Sequence, residues 1–545
     1  MTTKTISYEQ MTNGHPVFNL KNAIKDAIDS GAKKLVVEKG VYELDPLYAT
    51  QRNLCISNHG FNGPKRIAAL IENTSDFELD FSGSTLICNG IMTPIVVRNS
   101  ENICLKNVKL KNPTVPLLQC KVIGHGEDYI DTEVLGNSNN MILLNGAMYA
   151  EYPEWLLSEL RLNIEFDSTT GEIAYNTGDN TLMREARLSS FEYLDKNHVR
   201  IRKFTRVPPI GNVLVFSGFA RVGAAIFCEE SKNLFFENID ICSCYGMGLL
   251  AQLCENVTLR SFNTVREDGL FATAGADATH FVSCIGTVLV ENCDFVGQMD
   301  DALNIHGMYT RVLDKGDDWV LVREMSFMAT GIPLCRRGDT MRALNVDTLL
   351  PHAEKTVSDI QIINDECVKI FFCESADDIE IGDDMENITL NADLIFRKNI
   401  VRDNRARGML IATRGKVIIE DCFFHTSGTA IKFEADGKEY FESGGVVDVT
   451  IRNNTFDGCM HGDWGEAAVE CTPRDKEEEG RYFHGKISIK ENTFKDTKRE
   501  LVIINNTENF EFLNNNLIEE NTRVFVSHVG NCDIQEGVQA LPYIR

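Results

Sequence analysis

The stretch Val288-Leu-Val-Glu-Asn-Cys-Asp-Phe295 decides the fold. Its apolar residues fall at every second place, an Asn follows at the fifth position, and another apolar residue closes the phrase. The same phrase recurs as ICLKNVKL from Ile103, LFFENIDI from Leu234, VTLRSFNT from Val257, LIFRKNIV from Leu394, VIIEDCFF from Val417, VTIRNNTF from Val449, ISIKENTF from Ile487 and FEFLNNNL from Phe510. The fifth positions are Asn107, Asn238, Ser261, Asn292, Lys398, Asp421, Asn453, Glu491 and Asn514, at steps of 131, 23, 31, 106, 23, 32, 38 and 23 residues. Short alternating strands repeating at a fixed period, with no helix between them, indicate a solenoid of stacked strands. A leucine-rich repeat would need a helical half, which is absent. The reading is all-β: a right-handed parallel β-helix whose rungs stack about 4.8 Å apart, so that residues one period apart become neighbours. Asn suits the repeated position because it tolerates left-handed turns and can bond to its own copy on the next rung.

Outward from this phrase, a second column of strands is expected at Ala68, Thr93, Ala224, Met247, Asp301, Arg407, Gly428, Glu466 and Arg499. A helix from Leu20 to Gly31 should cap the stack, followed by strand, turn, strand between Lys34 and Leu44. The two long steps require inserts with strand-like runs of their own, Met141–Leu144 and Val213–Phe216 in one, Trp319–Arg323 and Val368–Phe372 in the other. This divides the chain into a cap and first rungs (1–111), an inserted β-rich domain (112–218), central rungs (219–307), a second insert (308–391) and C-terminal rungs (392–545).

Composition bounds the function. With 54 basic against 80 acidic residues, net −26, the chain is a poor partner for nucleic acid or an anionic membrane. No apolar run approaches the roughly 18 residues a membrane helix needs, and the first residues lack the basic and apolar parts of a secretory signal. Seventeen cysteines without a spaced CxxC pair read as reduced thiols buried in strands. The expected location is cytoplasmic, with export after signal removal as the alternative.

The chemistry gathers between Ala276 and Gly307. Asp277-Ala-Thr-His-Phe281 and Asp301-Ala-Leu-Asn-Ile305 are 24 residues apart, one period, and Asp300 precedes the second segment. Three carboxylates then meet, with His280 beside Asn304 and with His306 nearby. Alternation turns Leu303 and Ile305 inward and Asp300, Asn304 and His306 outward, provided Asp301 sits at the turn before the strand. Like charges this close raise at least one carboxyl pKa, which suits an acid and base pair for glycoside hydrolysis. A turn-capping role and a calcium site are the other uses of such a cluster. Glu229, Arg414, Lys432, Glu434 and Glu470 share the column and are candidates to line a cleft, and Trp464 is an aromatic that can stack on a sugar.

These residues resemble a known family. AGADATHF from Ala274 with GQMDDALNIHG from Gly297 is similar to the active-site signature of glycoside hydrolase family 110, α-galactosidases that cleave terminal α-1,3-linked galactose, including that of the blood group B determinant. The resemblance implies a β-helix carrying two β-barrel domains and an inverting hydrolase that needs no metal or other cofactor. Asp277, Asp300 and Asp301 match its essential aspartates; the candidate substrate contacts are His280, Asn304, His306, Glu229, Arg414, Glu434 and Trp464. It further implies a glycan with terminal α-galactose as partner, and a chain that can form homodimers. A more distant likeness to polygalacturonases suggests Asp300 as general acid, with Asp277 and Asp301 holding the water. Gly124-His125-Gly126 matches one of their short signatures but falls in the first insert, and RIK is missing, which counts against pectin. Other readings are a glycosidase for acidic or sulfated polysaccharide, drawing on Arg405, Arg407, Arg414 and Lys432 for cations, a non-catalytic carbohydrate-binding solenoid, and a polysaccharide lyase.

Overall fold

The computed structural model describes residues 2–60, 62–113, 117–136, 141–151, 157–183, 190–218, 221–472, 476–518 and 523–544. Its main body is a parallel stack in which each strand pairs with the copy one period away. Leu234 faces Ile103 on one side and Val257 on the other. Val288 faces both Val257 and Leu394, and the ladder continues through Val417, Val449, Ile487 and Phe510. Every step counted in the sequence is thus a rung, including the steps of 131 and 106. Leu234, Phe236, Val257, Leu259, Val288, Val290, Leu394 and Phe396 fill one continuous apolar core, which drives the stacking.

The fifth position is the corner of each rung. All nine residues there have φ between +51° and +60°, so the chain turns left-handed at every copy, even where Lys398 or Glu491 stands in place of Asn. The hydrogen-bonded ladder in the C-terminal half runs through the next residue. Asn399, Asn454, Asn492 and Asn515 are buried, and each side-chain oxygen accepts a backbone N–H from the adjacent rung at 2.8–3.0 Å. After a left-handed residue the following side chain points into the stack, where its amide must be satisfied.

The second column pairs as expected: Ile226 with Ile95 and Leu249, Leu249 with Thr279, Thr279 with Leu303, and Leu303 with Met409. A third face was not legible in the sequence. Its strands, such as Asp294–Val296, Phe423–His425 and Thr455–Asp457, are three residues long, too short to show alternation. They stack phenylalanines instead, with Phe424 and Phe456 ring centroids 5.2 Å apart and Phe456 and Phe494 4.7 Å apart. The capping helix spans Pro16–Asp29, four residues earlier than its apolar spacing suggests, because Pro16 fits the first helical turn. Leu20 and Ile24 close the end of the core.

Two excursions leave the stack. Between the rungs at Ile103 and Leu234, six antiparallel strands within Leu117–Ser217 form a sheet of their own. The second begins within a strand: Leu303–Lys315 is parallel to its rung neighbours through His306, then pairs antiparallel with Glu442, Glu386 and Glu324.

Candidate active site

The register that forms the rungs also forms the site. His280 stands beside Asn304, and the Ala278 amide donates to the Asp301 carbonyl at 2.9 Å, so Asp277 and Asp301 occupy the same place on neighbouring rungs. Leu303 and Ile305 enter the core, and Asp301 precedes the strand. Two glycines permit this tight approach. A Cβ on Gly275 would sit 2.7 Å from the Tyr245 carbonyl; one on Gly297, whose φ is +70°, would sit 2.3 Å from the Phe271 carbonyl.

Asp277, Asp300 and Asp301 meet on the floor of a cleft of about 1100 Å³, and each offers an oxygen within 4.8 Å of the others'. Three arginines answer them. Arg221 donates to Asp300 at 2.7 Å and Arg405 approaches its other oxygen at 3.2 Å. Arg407 grips Asp301 with two bonds of 3.0 Å. Among the described residues no guanidinium bonds Asp277; its Oδ2 lies 2.6 Å from Nδ1 of the fully buried His280.

This asymmetry separates the carboxyls. Burial pushes Asp277 up to about 8, and the Asp300 charge pushes the same way. Asp301 is likewise raised, by burial first and by the other two carboxylates, against the pull of Arg407. Burial acts on Asp300 too, but Arg405, Arg221 and Arg407 hold it below the ordinary carboxylate range. The polygalacturonase analogy makes Asp300 the acid; the two guanidiniums on its oxygens favour its ionised form, whereas burial favours the protonated forms of Asp277 and Asp301.

Among the described residues, this trio is the one group with spacing suited to a metal ion. Hard cations take six or more oxygens, whereas Asp300 and Asp301 already turn theirs to guanidiniums. A cation would compete with those guanidiniums for the same oxygens.

Of the expected substrate contacts, His280, Asn304, Glu434 and Trp464 line the cleft, as does Lys432. Asn304 presents a buried side-chain oxygen with no hydrogen-bond partner among the described residues. Three others lie elsewhere. Glu229 is bonded to Gln252 at 3.0 Å and faces Arg98 at 3.2 Å, away from the carboxylates. Arg414 sits amid Arg342 and Glu386, under the second excursion. His306 is behind His280, buried. Outward-pointing positions on one column meet different surroundings at different heights, because the excursions cover parts of it.

Sequence reasoning missed Arg221 and Glu442. Arg221 follows the first excursion, and Glu442 arrives when Glu442 and Ser443 pair with Met308 and Gly307. Neither belongs to the repeat, so no periodic signal marks them. Asp179, from the first excursion, holds Arg405 through bonds of 2.7 and 2.6 Å and thereby ties that excursion to the cleft wall.

Comparison with known proteins follows the same lines. Residues 118–214 match the model of GLAA-B beta-barrel domain I. The chain is 32% identical over 527 residues to alpha-1,3-galactosidase B of Phocaeicola vulgatus, covering 92% of this chain and 86% of that protein. It belongs to the alpha-1,3-galactosidase family, glycoside hydrolase family 110. Another member, alpha-1,3-galactosidase A of Bacteroides fragilis, is 29% identical, over 94% of this chain and 86% of its own length. Among solved structures, an exopolygalacturonase from Thermotoga maritima covers 94% of this chain and 92% of its own, at 11% identity and a TM-score of 0.42, too low to carry any part of the family assignment.

Proposed function

We propose that the chain is an exo-acting α-galactosidase that hydrolyses terminal α-1,3-linked galactose with inversion and without a metal ion, on linear or blood group B-type glycans. The observation that carries this reading is the asymmetry of partners inside one carboxylate cluster: Asp277 bonded to an imidazole, Asp300 between two guanidiniums, with burial pushing Asp277 up and the guanidiniums holding Asp300 down. Glycoside hydrolysis requires such an asymmetry, one carboxyl giving a proton to the leaving oxygen and one carboxylate taking a proton from water. We assign Asp277 the first role and Asp300 the second, with Asp301 orienting the water from its fixed place on Arg407. The unpartnered oxygen of Asn304 is available to accept from a sugar hydroxyl. The names of the relatives support galactose as the sugar; exo action, the right-handed solenoid with two inserted barrels and homodimers rest on the resemblance. Seventeen unpaired cysteines, twelve of them buried, support a reducing cytoplasmic location.

The charge of the cleft favours a neutral sugar over a uronate. Among the described residues nine carboxyl side chains line it against five cationic ones, and Arg161, Arg221, Arg405, Arg407 and Lys432 each face a carboxylate. An anionic polysaccharide would meet like charge.

Proton NMR of an α-1,3-galactosyl disaccharide during hydrolysis tests the reading. Early β-galactose supports inversion. Early α-galactose overturns it, and the spacing makes this a real contest: nearest oxygens within 4.8 Å are closer to the 5–5.5 Å of retaining enzymes than to the 6.5–9.5 Å of inverting ones. Binding without any release of galactose would instead support a non-catalytic solenoid.

A further inference from the structure

From Asp277 on the cleft floor, three hydrogen bonds run in line. Asp277 Oδ2 is 2.6 Å from His280 Nδ1, His280 Nε2 is 2.9 Å from His306 Nε2, and His306 Nδ1 is 2.6 Å from the Gly307 carbonyl. The rings meet edge to face at 83°. Both are buried, His280 fully and His306 to 95%. Beyond them Glu442 Oε1 lies 3.5 Å from His306 Nε2 and accepts from the Asn58 side chain at 3.1 Å.

The far end fixes the direction of the chain. A carbonyl accepts and cannot donate, so His306 Nδ1 carries a hydrogen. One hydrogen lies between the two Nε2 atoms and one between His280 and Asp277. With His280 neutral, two arrangements satisfy every bond. In the first, Asp277 is a carboxylic acid donating to His280 Nδ1, His280 Nε2–H donates to His306, and His306 is neutral. In the second, His306 is an imidazolium whose Nε2–H donates to His280, and His280 Nδ1–H donates to an Asp277 carboxylate. Conversion moves one proton from Asp277 Oδ2 to His280 Nδ1 and one from His280 Nε2 to His306 Nε2, so atoms and total charge are conserved. A cationic His280 is disfavoured by burial, then by His306.

We propose that His280 and His306 are positioning residues that act as a buried proton relay from Asp277 to His306, with Glu442 as its counter-charge, setting whether Asp277 presents an acid or a carboxylate to the cleft. Glu442 is buried, yet His306, His280 and Arg407 hold it below the ordinary range, so it is the counter-charge for the second arrangement. Asp300 and Arg221 also act on the Asp277 end, Arg407 on both Asp277 and Glu442, and the buried His59 imidazole is near Arg221 and His280. The proton can thus leave Asp277 through His280 and return by the same path. This deepens the hydrolase reading and rests on it for its catalytic meaning.

Nitrogen-15 NMR of histidine-labelled protein tests the relay without substrate. We expect His280 to exchange its Nε2–H tautomer for the Nδ1–H tautomer in step with ionisation of His306, and Asp277→Asn, whose amide N–H pins the first arrangement, to abolish both changes. A single His280 tautomer at every pH, or a His306 titration indifferent to Asp277→Asn, overturns the relay. In kinetics, Glu442→Gln removes a negative charge that holds the Asp277 proton in place and should move the alkaline limb of kcat/KM downward by about one pH unit; a uniform loss with an unmoved profile means Glu442 is structural and overturns its place in the relay. His306→Phe keeps the ring volume and should remove that limb's dependence on Glu442. Absence of galactose release from the wild-type protein would overturn the hydrolase reading, and the tautomer result would still decide the relay.

Discussion

Arg407 and Asp301, 106 residues apart in the chain, share two hydrogen bonds of 3.0 Å across adjacent rungs, with Asp301 only 1% exposed. The parallel bonds fix the carboxylate plane as well as its charge. Removing the guanidinium leaves a buried carboxylate uncompensated. Arg407→Met should therefore cost about 3–5 kcal/mol of folding stability. Arg407→Lys should recover part of the charge but not the paired geometry. Urea unfolding of both variants checks the order; equal stability of all three proteins would contradict the pairing.

Each of Asp277→Asn, Asp300→Asn and Asp301→Asn removes a group that moves a proton or holds the water. Galactoside hydrolysis should fall by about 10²–10⁴-fold for the acid and base positions. Initial rates on the α-1,3-linked disaccharide, with circular dichroism to verify folding, measure this. A variant retaining wild-type rate would exclude its residue from the chemistry.

The raised carboxyl also ties stability to pH. An unfolded aspartate titrates near 3.9, whereas Asp277 in the folded chain is pushed up to about 8, by burial before charge. Between these values the folded chain holds a proton that the unfolded chain has released. The Asp277 contribution to stability should fall as pH rises across this window and level off above about pH 8. Comparing Asp277→Asn with wild type by denaturation from pH 4 to 9 isolates it: the difference in stability should drift in the variant's favour with pH.

Gly297 tests the backbone that aims the aspartate pair. At φ +70°, with the Phe271 carbonyl 2.3 Å from a built Cβ, Gly297→Ala should destabilise by more than about 1 kcal/mol and lower kcat by displacing Asp300 and Asp301. Thermal unfolding and steady-state kinetics read both effects; an unchanged kcat would mean that the aspartates do not depend on this turn.

Substrate affinity should separate two glutamates that the sequence places on the same column. Glu434 lines the cleft and Glu229 does not. Glu434→Gln should raise KM for the galactoside, while Glu229→Gln should leave KM unchanged. The reverse pattern would move the substrate out of the cleft assigned to it.

The sequence by itself determined the register of the solenoid. Alternation and a left-handed corner are local properties, and once Val257, Val288 and Leu394 share one phrase their stacking follows, across 106 residues as readily as across 31. That register alone brings Asp277 beside Asp301 and His280 beside Asn304. Tertiary structure decided what each outward side chain meets. Arg221 and Glu442 come from segments without a period, and no spacing rule places them against Asp300 and His306. The separation of Asp300 from Asp277 and Asp301 follows from burial and from the guanidiniums that gather on Asp300, because burial and adjacent charge, not residue type, set the pKa.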